Sequence, residues 1–226
     1  MKQLDIGSAV TRSMLGWGVL AGPIYLAVGL ALALTRDGFE LGEHALSLLM
    51  LGDGGWMQRA DLAVNGLLCL LAAIGVRQAM VPAGGGAGAG RLLGLYSLGL
   101  FGGAAFAPDP VDSFPAGAHA HVTASGLLHL AFGLVQFVSV AIGALSLSRW
   151  AAARDDRASA RGFRAAAVVI LGGFIGGAAL AQSAGGVALL WVAVLASYGW
   201  LAAACLYLWP IVPHPDLGRR HLALTT

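Results

Sequence analysis

This chain lacks most of what a water-exposed protein needs. Only 11% of its 226 residues are charged, against 58% hydrophobic, and its mean hydropathy is +0.79. A soluble domain carries about 25% charged residues, so this composition cannot cover a surface that faces water. Lysine is nearly missing, since Lys2 is the single one among 13 basic residues. That excludes a P-loop and an internal Schiff-base lysine. The patterns G-x-S-x-G, H-E-x-x-H and C-x-x-C do not occur, which removes the common serine-hydrolase, zinc-protease and dithiol signatures. Cys69 and Cys205, the only cysteines, lie in apolar runs where inert, buried thiols are expected. A net charge of +2 is too small to hold a polyanion, so nucleic acid is not expected as a partner.

What is present is long apolar sequence. Six runs have spanning length, near Leu15–Leu34, Leu62–Met80, Leu92–Ala107, Val122–Leu147, Ala165–Gln182 and Val187–Trp209. A bilayer core of ~30 Å needs about 20 helical residues. The expected architecture is therefore all-α: a single six-span membrane domain over residues 1–226 whose main partner is the lipid bilayer. Pro108-Asp109-Pro110 stops the third run. Glycine is plentiful, with 34 residues. G-x-x-x-G pairs at Gly18/Gly22, Gly99/Gly103, Gly172/Gly176 and Gly173/Gly177 predict close intramolecular helix contacts.

The few charges fix an orientation. The N-terminus (Lys2, Arg12), the second loop (Arg77, Arg91), the fourth loop (Arg149, Arg154, Arg157, Arg161, Arg164) and the C-tail (Arg219, Arg220) hold 11 of the 13 basic residues. The positive-inside rule then places both termini in the cytoplasm of an inner-membrane protein. Seven of the 11 acids fall in the outer loops: Asp37, Glu40, Glu43, Asp53, Asp61, Asp109 and Asp112. No charge is expected deep within a span. The Arg-rich fourth loop reads as a short surface helix against anionic headgroups. The first outer loop, Thr35–Asp61, places Glu40, Glu43, His44 and Ser47 opposite Leu41, Ala45 and Leu48. That alternation predicts a short amphipathic helix at the outer interface.

Polar residues of the spans gather at their outer ends. His121, Ser125 and His129 are spaced i, i+4, i+8 in the fourth span, with Gln136 seven residues on and on the same face. Asp61 and Asn65 lie one turn apart in the second, and Gln182 ends the fifth. His129 is expected to bond Asn65 or Asp109 and lock the second and fourth helices together. Two uses of this set follow. One is a structural cluster, or a site that binds a lipid or small molecule through Asn65, Asp61, Ser125 and Gln136. The other is a metal-dependent lipid hydrolase, with Asp109, His121 or His119, and His129 as zinc ligands and Ser47 or His44 at the substrate. Histidines at i and i+8 stand about 12 Å apart along a helix, so the ligands of such a zinc would have to come from different segments. A small transporter is a further alternative, without a midplane charge or an evident inverted repeat to support it. Oligomeric state is not legible.

The run TRDGFELGEHALSLLMLGDGGWMQRADLAVNG resembles the bacterial integral-membrane family catalogued as domain of unknown function 998. The residues that carry the likeness are Arg36, Gly38-Phe39, Ser47, Gly55-Trp56, Asn65-Gly66, Asp109-Pro110 and His129. It covers essentially the whole chain and implies a six-span fold without an assigned activity. A more distant similarity is to ceramidase-like membrane hydrolases, which use a serine, an aspartate and three histidines around zinc. Ser47, Asp109, His121 and His129 would supply part of that set. The chain has six expected spans rather than seven, and its last span lacks the H-x-x-x-H pair.

Overall fold

The computed structural model describes residues 5–111 and 114–216. Lys2, Asp112, Arg219 and Arg220, used above for orientation or as loop residues, lie outside the described residues. The described chain is helical, with six long helices: α1 (Ile6–Thr35), α2 (Gly55–Met80), α3 (Gly88–Ala105), α4 (Ala124–Ala152), α5 (Arg157–Ala179) and α6 (Ala184–Leu208). Five of these, all but α3, are long and apolar enough to cross a membrane. The short 18-residue α3 contains six of the glycines and Arg91, which dilute its hydropathy.

Local chemistry sets the starts. Asp5, Thr123, Asp156 and Ser183 each accept a bond from a backbone N–H three residues on, capping α1, α4, α5 and α6. Such caps satisfy donors that the first helical turn leaves without partners. Every helix packs on its neighbours in sequence, and α6 returns to α1, so the six close into a ring. α6 also reaches α2 and α4 across the middle.

Glycine makes this closeness feasible. A methyl group on Gly18 would come within 2.4 Å of Cys205 Sγ and 2.8 Å of the Ala72 Cβ, and one on Gly22 within 2.8 Å of Tyr198. Gly99 meets Gln136 in the same way, and Gly173 and Gly177 meet α6 at Leu189 and Leu190. The paired glycines are thus mostly intramolecular contacts, as expected, although Gly172 faces open space. Interhelical hydrogen bonds add direction: Thr11 Oγ1 donates to Gln78 Oε1 at 2.9 Å, and Ser148 Oγ to the Ala160 carbonyl at 2.7 Å.

Three sequence expectations need correction. The first loop contains no amphipathic α-helix. Residues 40–44 form turns, and the only helical piece is a 3-10 turn over Leu46–Met50. The reason is local: four of its five residues are buried, so it has no polar face, and His44 turns inward. The Arg-rich stretch is not a separate surface helix either. α4 runs on to Ala152 and α5 begins at Arg157, so its arginines ride on two continuous helices joined by a tight turn with Asp155 at φ 60°. Finally, α2 starts at Gly55 rather than near Leu62, which places Asp61 inside the helix and buried at 5% exposure. One carboxyl therefore does enter a helix that is apolar enough to span.

Candidate functional site

One end of the ring holds the C-termini of α1, α3 and α5 and the N-termini of α2, α4 and α6. A cavity of about 480 Å³ lies there. Helices α1 to α6 all contribute to its wall, and the loops at Ala45–Leu48, Pro108–Val111 and Ala120–Val122 roof it. Much of its depth is apolar: Leu62, Leu190, Val194 and the stacked rings of Phe137 and Phe174, whose centroids are 4.6 Å apart. Its rim includes Val122 and Leu130, which are 77% and 56% exposed.

Polar groups sit at defined heights in this apolar space. His129 Nδ1 is 2.8 Å from the Phe106 carbonyl. A carbonyl only accepts, so Nδ1 carries the hydrogen and Nε2 presents a lone pair in the neutral ring. Gly103, also at the cavity, leaves room beside the ring, 4.0 Å from His129 Cε1 to a Cβ built on the glycine. Gln136 lies two turns deeper on the same face of α4, and Ser47 and His121 contribute from the roof. Tyr25 comes from α1, its ring tilted 31° against that of Tyr198 with centroids 5.1 Å apart. Trp191 stands on α6, its Nε1 donating to the Leu41 carbonyl at 3.3 Å.

The remaining candidates do other things. Asp109 lines the cavity, but its Oδ1 accepts from Thr123 N at 3.1 Å and from Thr123 Oγ1, so it secures the start of α4. Ser125 Oγ donates to the Ala107 carbonyl at 2.9 Å and braces the link between α3 and α4. His44 is buried at 2% exposure, accepts from the Glu40 N–H at 2.9 Å, and packs between Phe39 and Phe114. His121 Nδ1 contacts the His119 carbonyl at 2.8 Å. Among the described residues no three His, Cys, Asp or Glu side chains are grouped as metal ligands. Asp109, His121 and His129 share the cavity without converging on one point as a zinc triad.

Asp61 and Asn65 are adjacent as expected, with Asn65 Nδ2 donating to Asp61 Oδ1 at 3.2 Å, but neither lines the cavity. The expected bond from His129 to Asn65 or Asp109 is not made; the Phe106 carbonyl takes that place. His129 therefore ties α4 to the end of α3 rather than to α2.

Sequence reasoning missed Tyr25 and Trp191. Both carried a usable signal: each is an aromatic residue with a polar tip set well inside an apolar helix, whereas such residues normally sit in the interfacial belt. Several motif residues prove to be architectural. Arg36 donates to the Leu51 carbonyl, lies over the Phe114 ring at 6.0 Å, and abuts Gly52 and Gly54. A side chain at Gly55 would run into the Met50 carbonyl at 2.2 Å. Gly66 gives its carbonyl to Ser97 Oγ and lets the Phe101 ring approach.

A family model described as Protein of unknown function (DUF998) matches residues 19–207. No match to the chain was found among curated proteins or among solved structures.

Proposed function

Because the chain belongs to the DUF998 family of proteins of unknown function, we propose a role from its cavity: a multi-pass inner-membrane protein that binds an amphipathic lipid. The observation that carries this reading is the cavity of about 480 Å³, apolar in its depth and with exposed apolar residues at its rim. Ligand pockets commonly enclose 300–1,000 Å³ and place a few polar groups among apolar walls. Val122, just before α4, and Leu130 on α4 would face acyl chains, so a lipid could enter sideways without crossing water. His129 Nε2, Gln136, Ser47 and the Tyr25 hydroxyl are suited to hydrogen-bond a headgroup or its linkage.

In this reading α3 is the sixth span. Its 18 residues reach ~27 Å at 1.5 Å per residue, near the ~30 Å core, and it packs between α2 and α4 in the ring. Both termini lie in the cytoplasm, because arginines concentrate at the opposite end from the cavity, and the cavity then faces outward.

Filling the cavity tests the proposal. A Cβ on Gly133 would stand 3.7 Å from the Phe174 ring, ordinary contact, so Gly133→Leu is expected to fold while occupying ligand space. Native mass spectrometry of wild-type protein extracted in mild detergent should show a one-to-one lipid adduct that the variant loses. Equal adducts on both proteins, or none on the wild type, overturn the reading.

A further inference from the structure

Three buried oxygen acceptors lie together on α2, away from the cavity. Gln58, Asp61 and Asn65 are spaced by three and then four residues, so they share one helical face. Their exposures are 1%, 5% and 0%. Among the described residues no donor reaches Gln58 Oε1, Asp61 Oδ2 or Asn65 Oδ1. Buried polar atoms in proteins are nearly always paired, and a lasting exception calls for an explanation.

The charge sharpens the question. Among the described residues the single ion pair is His214 with Asp216, near the C-terminus, so Asp61 has no cationic side chain against it. Buried charges are otherwise paired or bound to a metal ion. We propose that Asp61 and Asn65 hold a small monovalent cation of the sodium class, with Gln58 as a further oxygen acceptor one turn nearer the helix start. The chemistry fits in kind: carboxylate and amide carbonyl oxygens are the hard donors that such cations take. It also fits in charge, since one carboxylate neutralises one monovalent ion and a divalent ion would leave a buried positive charge. Asn65 is already folded back onto the carboxylate, with its Nδ2 on Asp61 Oδ1 and on the Asp61 backbone carbonyl, both at 3.2 Å. The Oδ1 of the same amide is left without a partner. Gln58 Oε1 points to α1, 3.9 Å from a Cβ built on Gly29.

The site lies behind the cavity wall. Leu62, the next residue after Asp61, lines the cavity. The cation site nevertheless stands independently of the lipid reading, because none of its three residues lines the cavity.

The test uses the purified full-length protein in detergent, with choline chloride holding ionic strength constant. The wild type should bind radioactive sodium saturably at one ion per chain, and should melt higher in sodium chloride than in choline chloride. Asp61→Asn keeps the shape and removes the charge; it should abolish binding and melt alike in both salts. Gln58→Leu leaves the carboxylate intact and should weaken binding several-fold, which decides the matter even if Asp61→Asn fails to fold. Absence of saturable sodium binding by the wild type overturns the proposal. So does a melting temperature that follows pH but not sodium, which would mean that Asp61 is simply protonated. Unchanged binding by Asp61→Asn, or by Gln58→Leu, also overturns it.

Discussion

Removing the Asp109 carboxylate separates a structural role from a chemical one. Its Oδ1 accepts two bonds from Thr123, one from the backbone N–H at 3.1 Å and one from the hydroxyl. Thr123 in turn caps α4 by accepting from Gly126 N at 3.0 Å. The carboxylate lies so close over this first turn that a Cβ on Gly126 would fall 2.0 Å from Oδ2. A hydrogen bond to a charged group contributes about 1.5–3 kcal/mol, and a negative charge at a helix N-terminus adds about 0.3–1 kcal/mol. Asp109 is half-buried, so the low end applies, and Asp109→Ala should cost about 2 kcal/mol. At about 2–4 °C per kcal/mol for a chain of this size, the melting temperature should fall by about 4–8 °C. Asp109→Asn keeps an acceptor oxygen and should lose roughly half as much. Tryptophan fluorescence on heating in detergent reads this directly, since the chain has six tryptophans. If Asp109→Ala melts with the wild type, the capping account is wrong and the carboxylate is left for chemistry.

Other consequences can be checked more briefly. Gly18→Val should destabilise by about 1–3 kcal/mol through overpacking against Cys205 and Ala72, whereas Gly94→Ala, which meets nothing within 4 Å, should melt like the wild type. Both native thiols are buried at 0% exposure, so single cysteines can report orientation: a membrane-impermeant maleimide added outside should label Asp53→Cys and leave Asp155→Cys unlabelled. The Ser159 hydroxyl and then its backbone N–H donate to Asp156 and hold that carboxyl below its ordinary range. A lowered folded-state value means this contribution is present above the unfolded value and is lost as pH falls below about 4. Melting curves of Asp156→Ala should therefore decline less over that acid range than those of the wild type.

The long-range plan of the fold was legible because hydrophobic length alone reports it. Five helices answer to predicted runs by composition, and the glycine pairs at Gly18/Gly22 and Gly173/Gly177 lie at helix contacts as their spacing suggested. Boundaries were less legible. Gly55 to Asp61 reads as loop because Trp56, Gln58, Arg59 and Asp61 are polar or interfacial, yet the chain turns helical as soon as Gly54 adopts φ 78°. Hydropathy sees only side chains, while that start depends on a backbone conformation that glycine permits. The same limit hid the burial of Asp61. In the candidate site, the spacing put His121, Ser125, His129 and Gln136 on one face; His129 and Gln136 of α4 line the cavity, whereas His121 precedes the helix and Ser125 does not line it. Spacing could not rank hydrogen-bond partners: Asp109 and Thr123 are brought together by the path of the loop between them, and the Phe106 carbonyl that takes His129 is a backbone group with no residue-type signal.

The central claim is that a lipid lies inside the bundle, between the outer halves of α4, α5 and α6. The most direct measurement is photo-crosslinking in proteoliposomes with a phospholipid carrying a diazirine in its acyl chain, followed by peptide mapping. The account predicts adducts on cavity residues such as Phe137, Phe174 and Val194, and their loss in Gly133→Leu. Adducts confined to outward residues such as Leu127, Leu134 and Leu195, which are 57%, 51% and 50% exposed, and unaffected by Gly133→Leu would contradict it.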